Sequence, residues 1–210
     1  MKSLVAFIIG FHLMSPPAFS DNFTVLVWGD SLSSGHGIPK DRTWVDLLSR
    51  RVKDSGIQIV NGSISGEITQ GGKERIRGML SIHQPDLVVL GLGSNDGLQG
   101  LDTREMYINL ESIIKACLEA DAEVLLLGMK IPPNYGKVYT HSFYRVYEVL
   151  AEKYQVGFVP FFLEPVALDF DLMQDDGIHP TAEAQVLLLE HVWPSLAAYF
   201  PAELTSSYNQ

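Results

Sequence analysis

The sequence predicts an α/β domain: a five-stranded parallel sheet with helices on both faces. Three observations carry this. Short β-rich runs alternate with longer stretches of helical periodicity. The central run, Asp86–Leu92 (DLVVLGL), is apolar after its first residue, as strands covered on both faces are. Several runs end in Gly, Ser, Asn and Asp, at the strand ends where open α/β sheets bind ligands.

The elements follow in order. Phe23–Trp28 (FTVLVW) is the first strand, closed by Gly29-Asp30. Arg42–Lys53 is a helix, with Trp44, Val45, Leu47, Leu48 and Val52 on one stripe. Ile57–Val60 is the second strand and stops at Asn61-Gly62. Gly72–Leu80 is a helix with Ile76, Met79 and Leu80 on one face, leading to the third strand, Asp86–Leu92. Thr103–Ala120 is a helix that turns Met106, Leu110, Ile113, Ile114 and Cys117 inward. Glu123–Leu127 is the fourth strand, Thr140–Tyr154 a helix and Val156–Phe161 the fifth strand. Thr181–Phe200 is the last helix, ended or kinked near Pro194. The longest irregular stretch, Gly157 to Pro180, marks a functional loop.

The 210 residues carry a formal charge of −10, from 15 Lys+Arg against 25 Asp+Glu. That excludes a general nucleic-acid binder, which needs a basic footprint. With 46% hydrophobic and 19% charged residues the profile is globular, and the chain is long enough to bury a core without cross-links. The one cysteine, Cys117, rules out an intramolecular disulfide framework and a Cys-rich zinc site, and its place on an apolar helix face assigns it to the core. His12, His36, His83, His141 and His191 lack metal-ligand spacing, and His36, near Ser31 in sequence, reads as a solvated loop residue or as one bordering the site.

Met1–Ser20 reads as a cleaved secretory leader. Lys2 is the basic start, Leu4–Met14 the apolar run, and Ala18-Phe19-Ser20 the small-residue cleavage site after Pro16-Pro17. The mature protein, residues 21–210, is then one domain exported from a bacterial cytoplasm. No internal apolar run reaches the roughly 18–20 residues that span a bilayer.

Four blocks carry chemistry. Gly29-Asp30-Ser31-Leu32-Ser33 puts a serine at the top of the first strand. Such a serine is a nucleophile when a base removes its proton, or an N-cap when none is near. In Asp176-Gly177-Ile178-His179 the carboxylate, three residues before the imidazole, can hold its Nδ1–H and leave Nε2 for a nucleophile, although Asp-Gly also marks a turn. Ser63–Gly66 and Gly93-Ser94-Asn95-Asp96 offer a glycine N–H and an Asn amide, donors suited to a developing oxyanion. There is no phosphate-binding loop, no dinucleotide fingerprint and no G-x-S-x-G elbow.

In this order the four blocks resemble the SGNH (GDSL-type) hydrolase family: GDSLS with Ser31, the Gly66 block, G-x-N-D with Asn95, and D-x-x-H with Asp176 and His179. Ile64–Gly66, Asn95–Gly97, Pro132–Gly136 (PPNYG), Pro160–Leu163 and Met173–Pro180 (MQDDGIHP) are similar to its bacterial periplasmic thioesterase I/lysophospholipase/arylesterase subgroup. Ser94 stands where that subgroup often has glycine.

The resemblance implies a three-layer flavodoxin-like fold and a hydrolase of small-molecule acyl esters and thioesters, periplasmic or secreted, monomeric, without metal or organic cofactor. It implies Ser31 as nucleophile, His179 as base and Asp176 as its orienting carboxylate. The oxyanion donors are then the N–H groups of Ser31 and Gly66 and the Asn95 amide, with Asp30 bonding local backbone or supporting the oxyanion loop rather than transferring a proton. Leu98, Ile131, Pro132 and Tyr135, with Leu101, are expected to line an apolar groove, and Phe162 to pack in the core. Whether loop Gly97–Gly100 moves is left open. A second reading within the family is a carbohydrate O-acetylesterase.

Overall fold

The computed structural model describes residues 23–205; the leader expected at residues 1–20 lies outside them. Five strands form one sheet: β1 (Phe23–Gly29), β2 (Ile57–Asn61), β3 (Leu87–Gly91), β4 (Glu123–Leu127) and β5 (Gly157–Val159). They are all parallel, in the order β2-β1-β3-β4-β5. That is the flavodoxin-like order, with its switch point between β1 and β3.

Burial explains why the strands read as apolar runs. Val25 to Trp28 and Leu87 to Leu90 are almost completely enclosed. On one side α2 (Trp44–Arg51) packs against α7 (Gln185–Ala197). On the other, α3 (Thr69–His83) packs against α5 (Thr103–Glu119), and α5 against α6 (Lys137–Tyr154). Short helices α1 (Ser31–Ser34) and α4 (Ser94–Leu98) follow β1 and β3 directly, and α8 (Ala202–Thr205) closes the described chain. Cys117 lies in the core, where burial pushes its thiol up to about 12. Among the described residues no helix is long and apolar enough to cross a membrane.

Element ends differ from the sequence expectation for stated reasons. α3 starts at Thr69 rather than Gly72 because Asp96, from α4, supplies its cap: its carboxylate accepts from Thr69 N–H (2.9 Å) and Thr69 Oγ1 (2.5 Å). β5 is three residues long rather than six, because Pro160 has no N–H to continue the ladder. The last helix begins at Gln185 rather than Thr181, since Thr181 N–H bonds the Leu172 carbonyl and ends the preceding loop. It then runs through Pro194 to Ala197. α2 is shorter than expected, opened at Thr43 by a capping box with Asp46.

Candidate active site

The site is built on the turns after β1, β2 and β3 and on the loop between β5 and α7. After β1 the chain turns into α1, with Asp30 as N-cap accepting from Leu32 N–H at 3.0 Å. Gly35, at φ 84°, ends the helix in the left-handed region that glycine adopts freely. Its N–H and that of His36 both donate to the Ser31 carbonyl, at 3.1 Å each. Ser31 is therefore held by backbone at the top of β1. Trp44 Nε1 donates to the neighbouring Ser33 Oγ at 3.3 Å and couples the turn to α2.

The β5–α7 loop brings the other partners. Met173 and Pro180 form an isolated antiparallel bridge, and Gln174 N–H donates to the His179 carbonyl at 2.7 Å. Asp176 Oδ1 accepts from Ile178 N–H (2.8 Å) and His179 N–H (2.9 Å), and Gly177 turns at φ 65°. The result is one continuous chain of contacts. His179 Nε2 lies 2.9 Å from Ser31 Oγ, and His179 Nδ1 lies 2.6 Å from Asp176 Oδ2. Desolvation pushes the Asp176 carboxyl up, but hydrogen bonds from the His179 backbone and ring and from Ile178 N–H outweigh it and hold it at about 2. Asp176 is thus a carboxylate at neutral pH. Asp175, its neighbour, is exposed.

The turns after β2 and β3 are hydrogen-bonded to the turn and short helix that carry Ser31. The N–H groups of Ser31 and Gly66 make no hydrogen bond among the described residues. Gly66 sits at φ 79°, and its loop is tied to α1 by a 2.7 Å bond between Ser34 Oγ and Ser65 Oγ. Asn95 Nδ2 donates to the Glu67 carbonyl (3.0 Å) and, at 3.3 Å, to Asp30 Oδ2. Asp30 is fully buried, and burial pushes its carboxyl up to about 6 against the hydrogen bonds from Ser94 and Leu32. It does support local backbone, as expected, and it also anchors the two side chains that follow Gly93.

The expected groove residues fall into one neighbourhood. Tyr135 Oη donates to the Leu98 carbonyl at 2.7 Å. The Ile131 methyl stands 2.7 Å from where a side chain on Gly97 would begin, so that glycine is required by close packing. Pro132 is exposed beside them and Leu101 at the edge, its carbonyl accepting from Tyr139 Oη at 2.7 Å. Phe162 is core, edge-on to Trp44 at 5.6 Å between ring centroids.

Two supports were not foreseen, and a third takes the less expected of its two readings. Arg75 forks onto the Glu67 carboxylate (Nε to Oε1 2.7 Å, and Nη2 to Oε2) and reaches the Gly62 carbonyl at 3.1 Å, bracing the β2 turn. Gln174 Nε2 donates to the carbonyls of His36 and Pro180, both at 2.9 Å, and so joins the Ser31 turn to the His179 loop. His36, expected as a solvated loop residue that could also border the site, is exposed and borders it: its ring lies on His179, with centroids 4.5 Å apart. The Gln174 and His36 contacts link segments far apart in sequence, and no local motif announces them.

The GDSL-like Lipase/Acylhydrolase family model matches residues 27–187. Esterase TesA of Pseudomonas aeruginosa is 45% identical over 175 residues, covering 82% of this chain and 87% of that protein. The thioesterase 1/protease 1/lysophospholipase L1 of Escherichia coli is 40% identical over 167 residues, 80% of each chain. The crystal structure of a psychrotrophic esterase EstA from Pseudoalteromonas, inhibited by monoethylphosphonate, superposes with TM-score 0.81 at 33% identity, covering 85% of this chain and 98% of that one.

Proposed function

The chain belongs to the GDSL-like lipase/acylhydrolase family, and on that premise we propose that it hydrolyses acyl esters and thioesters through an acyl-serine on Ser31. One observation carries the reading: the unbroken chain from Ser31 Oγ through the His179 ring to Asp176, at 2.9 and 2.6 Å. In this mechanism His179 Nε2 takes the Ser31 proton as Oγ attacks the carbonyl, then returns it to the leaving alcohol or thiol. Asp176 keeps the remaining proton on Nδ1 and stabilises the imidazolium. Water repeats the sequence on the acyl-serine.

The N–H groups of Ser31 and Gly66, without a hydrogen-bond partner among the described residues, support their roles as oxyanion donors. Asn95 is the third, and an arriving oxyanion competes with Glu67 or Asp30 for one of its amide hydrogens. Leu98, Ile131, Pro132 and Tyr135 receive the acyl chain, each buried methylene contributing about 0.8 kcal/mol. The protein acts as an exported monomer, cleaved after Ser20. The relatives named as esterase and as thioesterase/lysophospholipase support the substrate class.

Hydrolysis of p-nitrophenyl esters from acetate to palmitate tests the substrate side. A rate rising toward medium or long chains supports the lipid-type reading. A rate confined to acetate moves the assignment to a carbohydrate O-acetylesterase.

A further inference from the structure

We propose that His36, Asp176 and His179 form a site for a divalent transition-metal ion of the zinc class, and that filling it switches the hydrolase off. The proposal takes the role of His179 from the function proposed above and adds a regulator of the same site.

The three side chains come from the α1 turn and the β5–α7 loop, and one ligand atom of each can be chosen so that all lie within 4.8 Å of one another. The His36 backbone is fixed at both ends, its N–H on the Ser31 carbonyl and its carbonyl accepting from Gln174 Nε2. His36 is exposed, and no hydrogen bond to its ring nitrogens is seen among the described residues, so a nitrogen is available to an ion. The Asp176 side chain is 40% exposed and that of His179 18%, so an ion can enter from water and keep water ligands. Two imidazoles and a carboxylate suit zinc, copper or nickel; magnesium and calcium prefer oxygen alone.

Both ring nitrogens of His179 are already in use, Nδ1 with Asp176 and Nε2 with Ser31. Coordination through Nε2 displaces the Ser31 hydroxyl; the two imidazoles then bind the ion, and Asp176 keeps its bond to Nδ1 and supports the ring from behind, the carboxylate–histidine–metal arrangement. Coordination through Nδ1 releases its proton to solvent and frees Asp176 to bind the same ion. Either route breaks one of the two contacts that make Ser31 a nucleophile, so inhibition does not depend on which nitrogen binds.

The test uses the mature protein, zinc chloride as probe, and His36→Phe, which keeps an aromatic ring against His179 and removes the free nitrogen. Each variant's rate is referred to its own zinc-free rate. The expected result is inhibition of the wild type by zinc, reversed by a chelator, with half-inhibition shifted upward about tenfold or more in His36→Phe. Magnesium at equal concentration leaves the rate unchanged. Zinc binding is also followed by calorimetry on Ser31→Ala, where it is expected to persist and to weaken by the same factor when His36→Phe is added. That arm needs no hydrolysis, so it stands apart from the proposed reaction. Zinc affinity and inhibition that ignore His36, or equal inhibition by magnesium, overturn the proposal.

Discussion

The Ser94 hydroxyl donates a hydrogen bond to the buried carboxylate of Asp30, joining the turn after β3 to the turn after β1. This bond crosses the switch point of the sheet, where the flanking crossovers diverge. Asp30 is out of reach of water, so its partners are all protein: Leu32 N–H, the Ser94 hydroxyl and the Asn95 amide. Ser94→Ala leaves one carboxylate oxygen short of a donor and should cost about 2 kcal/mol of stability. Urea unfolding of the two proteins checks this. Equal midpoints and slopes would show that the bond contributes nothing.

Asp30 also sets a pH dependence of stability. Burial raises its folded-state carboxyl from 3.8 to about 6, so the folded protein holds this proton more tightly than the unfolded chain. Below about pH 4 both states are protonated and there is no penalty. As pH rises from about 4 to about 6 the folded state loses up to roughly 3 kcal/mol, and above that the loss is constant. Asp176, held at about 2, acts only at lower pH and with the opposite sign. Asp30→Asn removes the titrating charge, so the wild-type stability should fall relative to the variant across pH 4–6. Parallel stability curves for the two proteins across that window are the contrary result.

Asn95 should act on turnover more than on substrate affinity, because an oxyanion exists only after attack. Asn95→Ala is expected to lower kcat by about a hundredfold or more, with KM changed little. Steady-state kinetics on one p-nitrophenyl ester give both constants. A variant that raises KM and keeps kcat would place Asn95 in ground-state binding instead.

The strands were readable because burial on both faces leaves an uninterrupted apolar run, as in Leu87–Leu90. Ser31 and the Asp176–His179 pair were readable because each block is local: a strand-end turn in one case, a three-residue spacing in the other. What escaped depends on contacts between distant segments. Thr69 starts α3 only because Asp96 caps it from 27 residues away, and no residue before Thr69 signals it. His36 reaches His179 only because Gln174 clips its carbonyl to the second loop, 138 residues on. Nearer in sequence, Glu67 is held by Arg75, eight residues on and in the second turn of α3.

The central claim is that Ser31 is the nucleophile and that His179 makes it one. The most direct measurement is labelling with a fluorophosphonate, followed by intact mass and peptide mapping, on wild type and His179→Ala at equal fold stability. The account predicts one adduct, on Ser31, that grows in step with the loss of esterase activity, and a labelling rate lowered about a thousandfold or more in His179→Ala. An adduct on another residue, or a fully labelled Ser31 in a protein that still turns over ester, would contradict it.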